Sequence, residues 1–155
     1  MVDHEYWSRV DFQAEALSLC SKFDTAFVGQ STYADPCWLI RTYDVLAGSP
    51  YADRLSTAVA GLLDHADADV RVVAAHFFTL WPLAAGSSRV LDIIENGPSH
   101  RVERGDGVLI PTYVPHLIVD CFAKTLATMA ASGNQRAVAL NGRTALSELL
   151  KRTDT

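Results

Sequence analysis

The chain is short of the residues that would make its function easy to read. Of its 155 residues only three are cysteine, at Cys20, Cys37 and Cys121. So few, so far apart and odd in number, they form neither a disulfide framework nor a CxxC metal clip. Each lies among apolar neighbours, where a free cysteine is normally a small buried hydrophobe. Basic charge is also scarce, with 13 Lys and Arg against 18 Asp and Glu, a net charge of −5. Phosphate-directed binding depends on a cationic face that releases counterions, so nucleic acid is a poor candidate for the main ligand. No apolar run approaches the ~20 residues of a membrane span. The opening "MVDHEYWSRVDFQ" has neither the basic head nor the apolar run of a signal peptide. These absences point to a cytoplasmic protein that binds neither membrane nor nucleic acid.

Catalytic and nucleotide signatures are missing as well. The chain contains no G-x-S-x-G, Walker A, G-x-G-x-x-G or H-E-x-x-H pattern. The serine of "VGQSTY" lacks the second glycine that a nucleophile elbow requires.

What is present is helical grammar. Hydrophobic content of 49% with a mean hydropathy of +0.10 suits a packed globular chain. Its length suits one domain over residues 1–155, since domains most often run about 100–150 residues. Asp3 can cap a helix running to about Phe23, with Tyr6, Val10, Ala14 and Leu17 on one stripe and Phe12, Ala16, Leu19, Cys20 and Phe23 on another. So wide an apolar surface implies neighbours on more than one side. Asp35-Pro36 opens a second helix that should stop at Gly48, and Ser49-Pro50 opens a third with Leu55, Val59, Leu62 and Leu63 inward. A fourth is capped by Asp67 or Asp69, carries Val70, Val73, Ala74, Phe77 and Trp81 inward, and ends at Pro82. A short helix over Ser88 to Glu95 stops at Asn96-Gly97. Pro115 opens another, with Ile118, Cys121, Phe122, Thr125, Leu126 and Met129 inward. After Ser132-Gly133-Asn134, the last buries Val138, Ala139, Gly142, Ala145, Leu146, Leu149 and Leu150. Trp7, Trp38 and Trp81 all fall at or near core positions. The fold class is all-α, about seven helices in antiparallel pairs.

The stretch "LLDHADADVRVVAAHFF", residues 62–78, sets three aspartates, two histidines and an arginine in an otherwise apolar run. A calcium loop of the EF-hand type needs a glycine at its sixth position and a closing glutamate, and neither is there. Zinc needs three or four ligands at short spacing, whereas His65 and His76 stand eleven apart with no cysteine between them. A helix corner accounts for more: one helix ends near His65, and an aspartate caps the next, where negative charge suits the dipole. On its mostly apolar helix, His76 reads as a core or boundary residue.

Leucine, aspartate and then "DADVRVVAA" in this corner resemble the turn of the HEAT repeat, "D-x-VR-x-x-A". The resemblance is good over residues 51–81. It implies a HEAT-like α-α superhelix in which an aspartate, Asp64 or Asp69, and Arg71 form a ladder between stacked helix pairs. The pair from Pro115 to Lys151 has a similar layout, but its turn "SGNQRAVAL" keeps only the arginine, Arg136. Repeat stacks of this kind present an extended surface to a partner.

The segment "GPSHRVERGDGVLIPTYVP", 97–115, departs from the pattern as one long loop or a small hairpin near 97–113. Its RGD at 104–106 resembles the integrin tripeptide, but in a chain without a secretion signal the glycines serve a turn. The leading expectation is a non-enzymatic module that binds another protein through Arg101, Glu103, Arg104 and Asp106, with Glu95 beside them. Asp64, His65 and Asp67 at the corner come second. A sharper version resembles the small acidic immunity proteins that neutralise a cognate bacterial toxin. The alternative is a small enzyme or ligand-binding protein with a polar pocket near His100, His116 and Asp120. No cofactor or metal is expected.

Overall fold

The computed structural model describes residues 2–21, 37–97, 114–141 and 146–149. They form α1 (His4–Trp7), α2 (Phe12–Cys20), α3 (Cys37–Leu46), α4 (Pro50–Ala60), α5 (Ala68–Leu80), α6 (Ser88–Asn96), α7 (Val114–Ala131) and α8 (Gln135–Asn141). A further helical turn covers 146–149, and no strand occurs among the described residues. The fold class is all-α.

One expected helix is two. The chain leaves α1 at Ser8 and begins again at Asp11, whose carboxylate accepts from the Gln13 and Ala14 amides at 3.1 and 3.2 Å. An aspartate that can cap competes with the helix it would otherwise sit inside. The break divides the two expected stripes. Ala16, Leu19 and Cys20 are buried and Phe12 packs against the core, whereas Tyr6 and Leu17 are 56% and 38% exposed. Trp7, Phe12 and Tyr51 stack in a row, with centroids 6.1 and 6.3 Å apart, and fix the N-terminal helices to α4.

Helix α5 is the centre. It packs on α7 and also touches α2 and α4. Neighbours on three sides explain why Val70, Val72, Val73, Ala74, Ala75, Phe77 and Phe78 are all buried. Each large side chain so enclosed contributes about 1.5–3 kcal/mol through its burial. Helix α7 presents Cys121, Phe122, Thr125, Leu126 and Met129 to this core, as the spacing predicts. Thr125 satisfies its buried hydroxyl by donating to the Cys121 carbonyl at 3.0 Å.

Most of the punctuation falls where the sequence places it. Gly48, Gly97 and Gly133 have φ of 83°, 83° and 91° after α3, α6 and α7. Pro50 opens α4, but Ser49 turns its hydroxyl back to donate to the Leu46 carbonyl rather than capping α4. The Asn134 side chain caps α8 by accepting from the Ala137 amide at 3.0 Å. The expected inner face of α8 is corrected: Ala137 and Leu140 are buried, and Val138 and Ala139 are exposed. Trp38 is also corrected, standing nearly half exposed with Arg41 over its ring at 5.6 Å. Asp35, Pro36, Gly142, Ala145, Leu150 and the 98–113 segment lie outside the described residues.

Candidate functional site

The two corners at the ends of α5 hold most of what the described residues offer. The first, 61–71, is the polar one. Asp67 is the N-cap of α5, its carboxylate accepting from the Asp69 amide at 2.9 Å. His65 turns Nδ1 inward to accept from the Asp67 amide at 3.0 Å. Arg71, one turn into α5 and almost fully buried, donates to the carbonyls of His65 and Ala66 at 2.9 and 3.0 Å. Its guanidinium ties the turn back onto the helix. Burial pulls the Arg71 pKa down, and nearby Asp67 pushes it up.

Asp64 is only 8% exposed and pairs with Arg89 of α6, 2.7 Å away. Arg71 is engaged by turn carbonyls, and the arginine that answers Asp64 comes from the following helix. Within the corner, amides and carbonyls are matched by side chains from the corner itself, the pattern of a fold junction. Among the described residues no three His, Cys, Asp or Glu side chains gather as metal ligands.

The second corner, 80–87, has the opposite character. Leu80, Trp81, Pro82, Leu83, Ala84 and Ala85 run consecutively and none is buried. Leu80 and Leu83 are 52% and 64% exposed. Trp81 anchors the run: its ring lies 4.6 Å from that of Tyr43 on α3 and 5.2 Å from that of Phe77. Gly86 closes the corner with φ of 87° against α4, where a Cβ would meet Ala60 Cβ at 3.0 Å and Thr57 Cα at 3.1 Å. No side chain fits there without displacing backbone. The scaffold is therefore fixed at both ends while apolar surface stays in water between them.

Of the residues singled out from sequence, Asp64, His65 and Asp67 come together. Glu95 is exposed on α6, where Arg136 of α8 reaches it at 3.3 Å and Asp92 at 2.8 Å. Asp120 is exposed on α7, and His116 belongs to the same helix. His100, Arg101, Glu103, Arg104 and Asp106 lie outside the described residues. Cys20 and Cys121 are buried, and burial pushes their thiols up to about 12 and about 11. Thiols so far from ionisation are poor nucleophiles at neutral pH.

Sequence reasoning misses the 80–85 run because Trp81 fits an inward helical stripe. A signal exists: apolar residues continue past Pro82, where the helix that would bury them has ended. No helix of the described residues is long and apolar enough to cross a membrane. Searches against family models, curated proteins and solved structures return no match.

Proposed function

We propose that this chain is a non-enzymatic protein-binding module of HEAT-like design, acting in the cytoplasm. The observation that carries the reading is the apolar run from Leu80 to Ala85, in which Leu80 and Leu83 are exposed on a corner anchored by Trp81 and Gly86. Contiguous apolar surface is costly to leave in water and marks interaction sites more often than isolated exposed residues do. Tryptophan with aliphatic neighbours is also the composition of energetic centres in protein interfaces.

The HEAT-like part is supported by the helix–corner–helix of α4 and α5, with Asp67 as cap and Arg71 folded on the turn. The Asp64–Arg89 pair joins that corner to the next helix, the kind of link an aspartate–arginine ladder makes. The specific form we favour is an immunity protein that neutralises a bacterial toxin domain, a role suited to a small acidic helical chain. The Arg101, Glu103, Arg104 and Asp106 segment is proposed as a second part of the contact surface.

Affinity capture with the tagged protein from its native cell extract tests this. The expected result is one stoichiometric protein partner that Leu80→Lys with Leu83→Lys releases while helical circular dichroism is unchanged. Arg104→Glu with Asp106→Lys tests the loop contribution in the same assay. A toxic partner would identify an immunity protein. A chain that retains only a metal or small molecule would overturn the reading and favour the pocket at His100, His116 and Asp120.

A further inference from the structure

The helices α1 and α2 offer a second surface, independent of the Leu80–Ala85 corner. Between them runs a shallow groove of about 580 Å³. Tyr6, Val10 and Ala14 are among its lining residues, and Leu17, outside the groove itself, stands one turn beyond Ala14 on the same face of α2. This is the stripe that the break at Ser8–Asp11 turns away from the core, and Tyr6 and Leu17 remain exposed on it.

Carboxylates border the same groove. Among the described residues Asp3, Glu5, Asp11 and Glu15 line it, against one cation, Arg9, which sits 3.4 Å from Glu5 with both side chains largely in solvent. Asp3 and Asp11 accept from backbone amides, which orients their charge without neutralising it. An apolar strip with an acidic border is complementary to a cationic amphipathic segment. A second copy docking through the same patch would set carboxylate against carboxylate, because a two-fold interface is self-facing. Anionic lipid and nucleic acid meet the same repulsion.

We propose that the α1–α2 groove is a docking site for a basic amphipathic segment of a partner protein, one that places Lys or Arg beside apolar side chains. Tyr6 and Leu17 take up its apolar face, and Glu5 and Glu15 set its orientation and speed its approach.

The test is fluorescence anisotropy with the full chain and a fluorescein-labelled amphipathic peptide of leucine and lysine. A scrambled peptide of equal charge serves as the reference probe. Wild-type protein should bind the amphipathic peptide and lose affinity as salt shortens the Debye length from ~10 Å at 0.1 M towards ~3 Å at 1 M. Glu5→Lys with Glu15→Lys should weaken binding on the order of tenfold, and Glu15→Lys alone, which leaves the Glu5–Arg9 pair intact, about threefold. Tyr6→Ala with Leu17→Ala should weaken it about fivefold or more. Asp44→Lys with Asp120→Lys makes the same net-charge change on α3 and α7 and should cost about twofold at most, since it acts at longer range. The proposal is overturned if wild type ignores the peptide, if the scrambled probe binds as well, or if the Asp44 and Asp120 pair costs as much as the Glu5 and Glu15 pair. A chain that still captures a protein through Leu80 and Leu83 while ignoring the peptide would defeat this inference alone.

Discussion

The corners at the two ends of α5 are inversions of each other. Before α5 the sequence is polar, and its charged groups turn inward: Arg71 onto turn carbonyls, Asp64 onto Arg89. After α5 the sequence is apolar, and Leu80 and Leu83 turn outward. Charge placed in an apolar run attracts a functional reading, and here Arg71 and Asp64 are engaged within the fold. Buried polar groups must find partners or pay their full desolvation cost, so a polar residue that lands at a junction is put to work there. A single exposed leucine is ordinary, but two of them on one fixed apolar corner make a patch, and a patch is what informs about contacts beyond the chain.

The contrast between the corners breaks first at Asp64. Asp64→Ala removes a carboxylate that Arg89 reaches at 2.7 Å in a largely enclosed place. Removing one member of a buried pair costs about 3–5 kcal/mol, and Arg89 keeps some solvent, so the lower end applies here. Urea unfolding should show a loss of about 3 kcal/mol. A loss below about 0.5 kcal/mol, the range of ordinary surface changes, would mean that the first corner is not held by this pair.

Gly86→Ala tests the anchoring of the second corner. The new Cβ meets α4 at 3.0 Å and the backbone must hold a φ of 87° that alanine disfavours. A destabilisation of about 2 kcal/mol is expected, from strain added to overpacking. A neutral result would show the 80–87 corner to be free to shift off α4. Asp67→Ala is milder. It removes one cap bond to an amide at the start of α5 and should cost about 1 kcal/mol by thermal or chemical unfolding.

Much of this architecture is legible in the sequence because its determinants are local. Glycines at positive φ, the Asp67 cap, Pro50 and the inner face of α7 follow from spacing and backbone chemistry. What is not legible depends on partners distant in sequence. Nothing near Asp64 says that Arg89 will answer it in place of Arg71. Nothing in the period of residues 3–23 says which of two apolar stripes meets α4; the Phe12–Tyr51 stack decides that, 39 positions apart. Val138 is the more apolar of the pair, yet the packing of α8 on α7 buries Ala137 and leaves Val138 out. Of the candidate site, the Asp64, His65 and Asp67 corner is visible in the sequence, and the hydrogen bonds of His65 and Asp67 at 3.0 and 2.9 Å lie within it. The apolar corner escapes notice because Trp81 fits a helical stripe and does pack on Tyr43 and Phe77, while Leu80 and Leu83 beside it are exposed.

The smallest expected change in stability is at Leu80→Lys with Leu83→Lys. Both side chains are more than half exposed, so the substitutions bury no charge and open no cavity. Stability should stay within about 0.5 kcal/mol of the parent. The same pair should raise solubility, since it interrupts the contiguous apolar run, and it should weaken partner capture more than any of the stability variants. A large loss of stability would mean instead that the two leucines pack within the fold, and the contrast between the corners would lose its second half. The contrast is sharpest when Asp64→Ala lowers stability in proportion to any loss of capture, while the leucine pair abolishes capture at unchanged stability. That separation is what distinguishes a junction from a contact surface, and neither variant establishes it without the other.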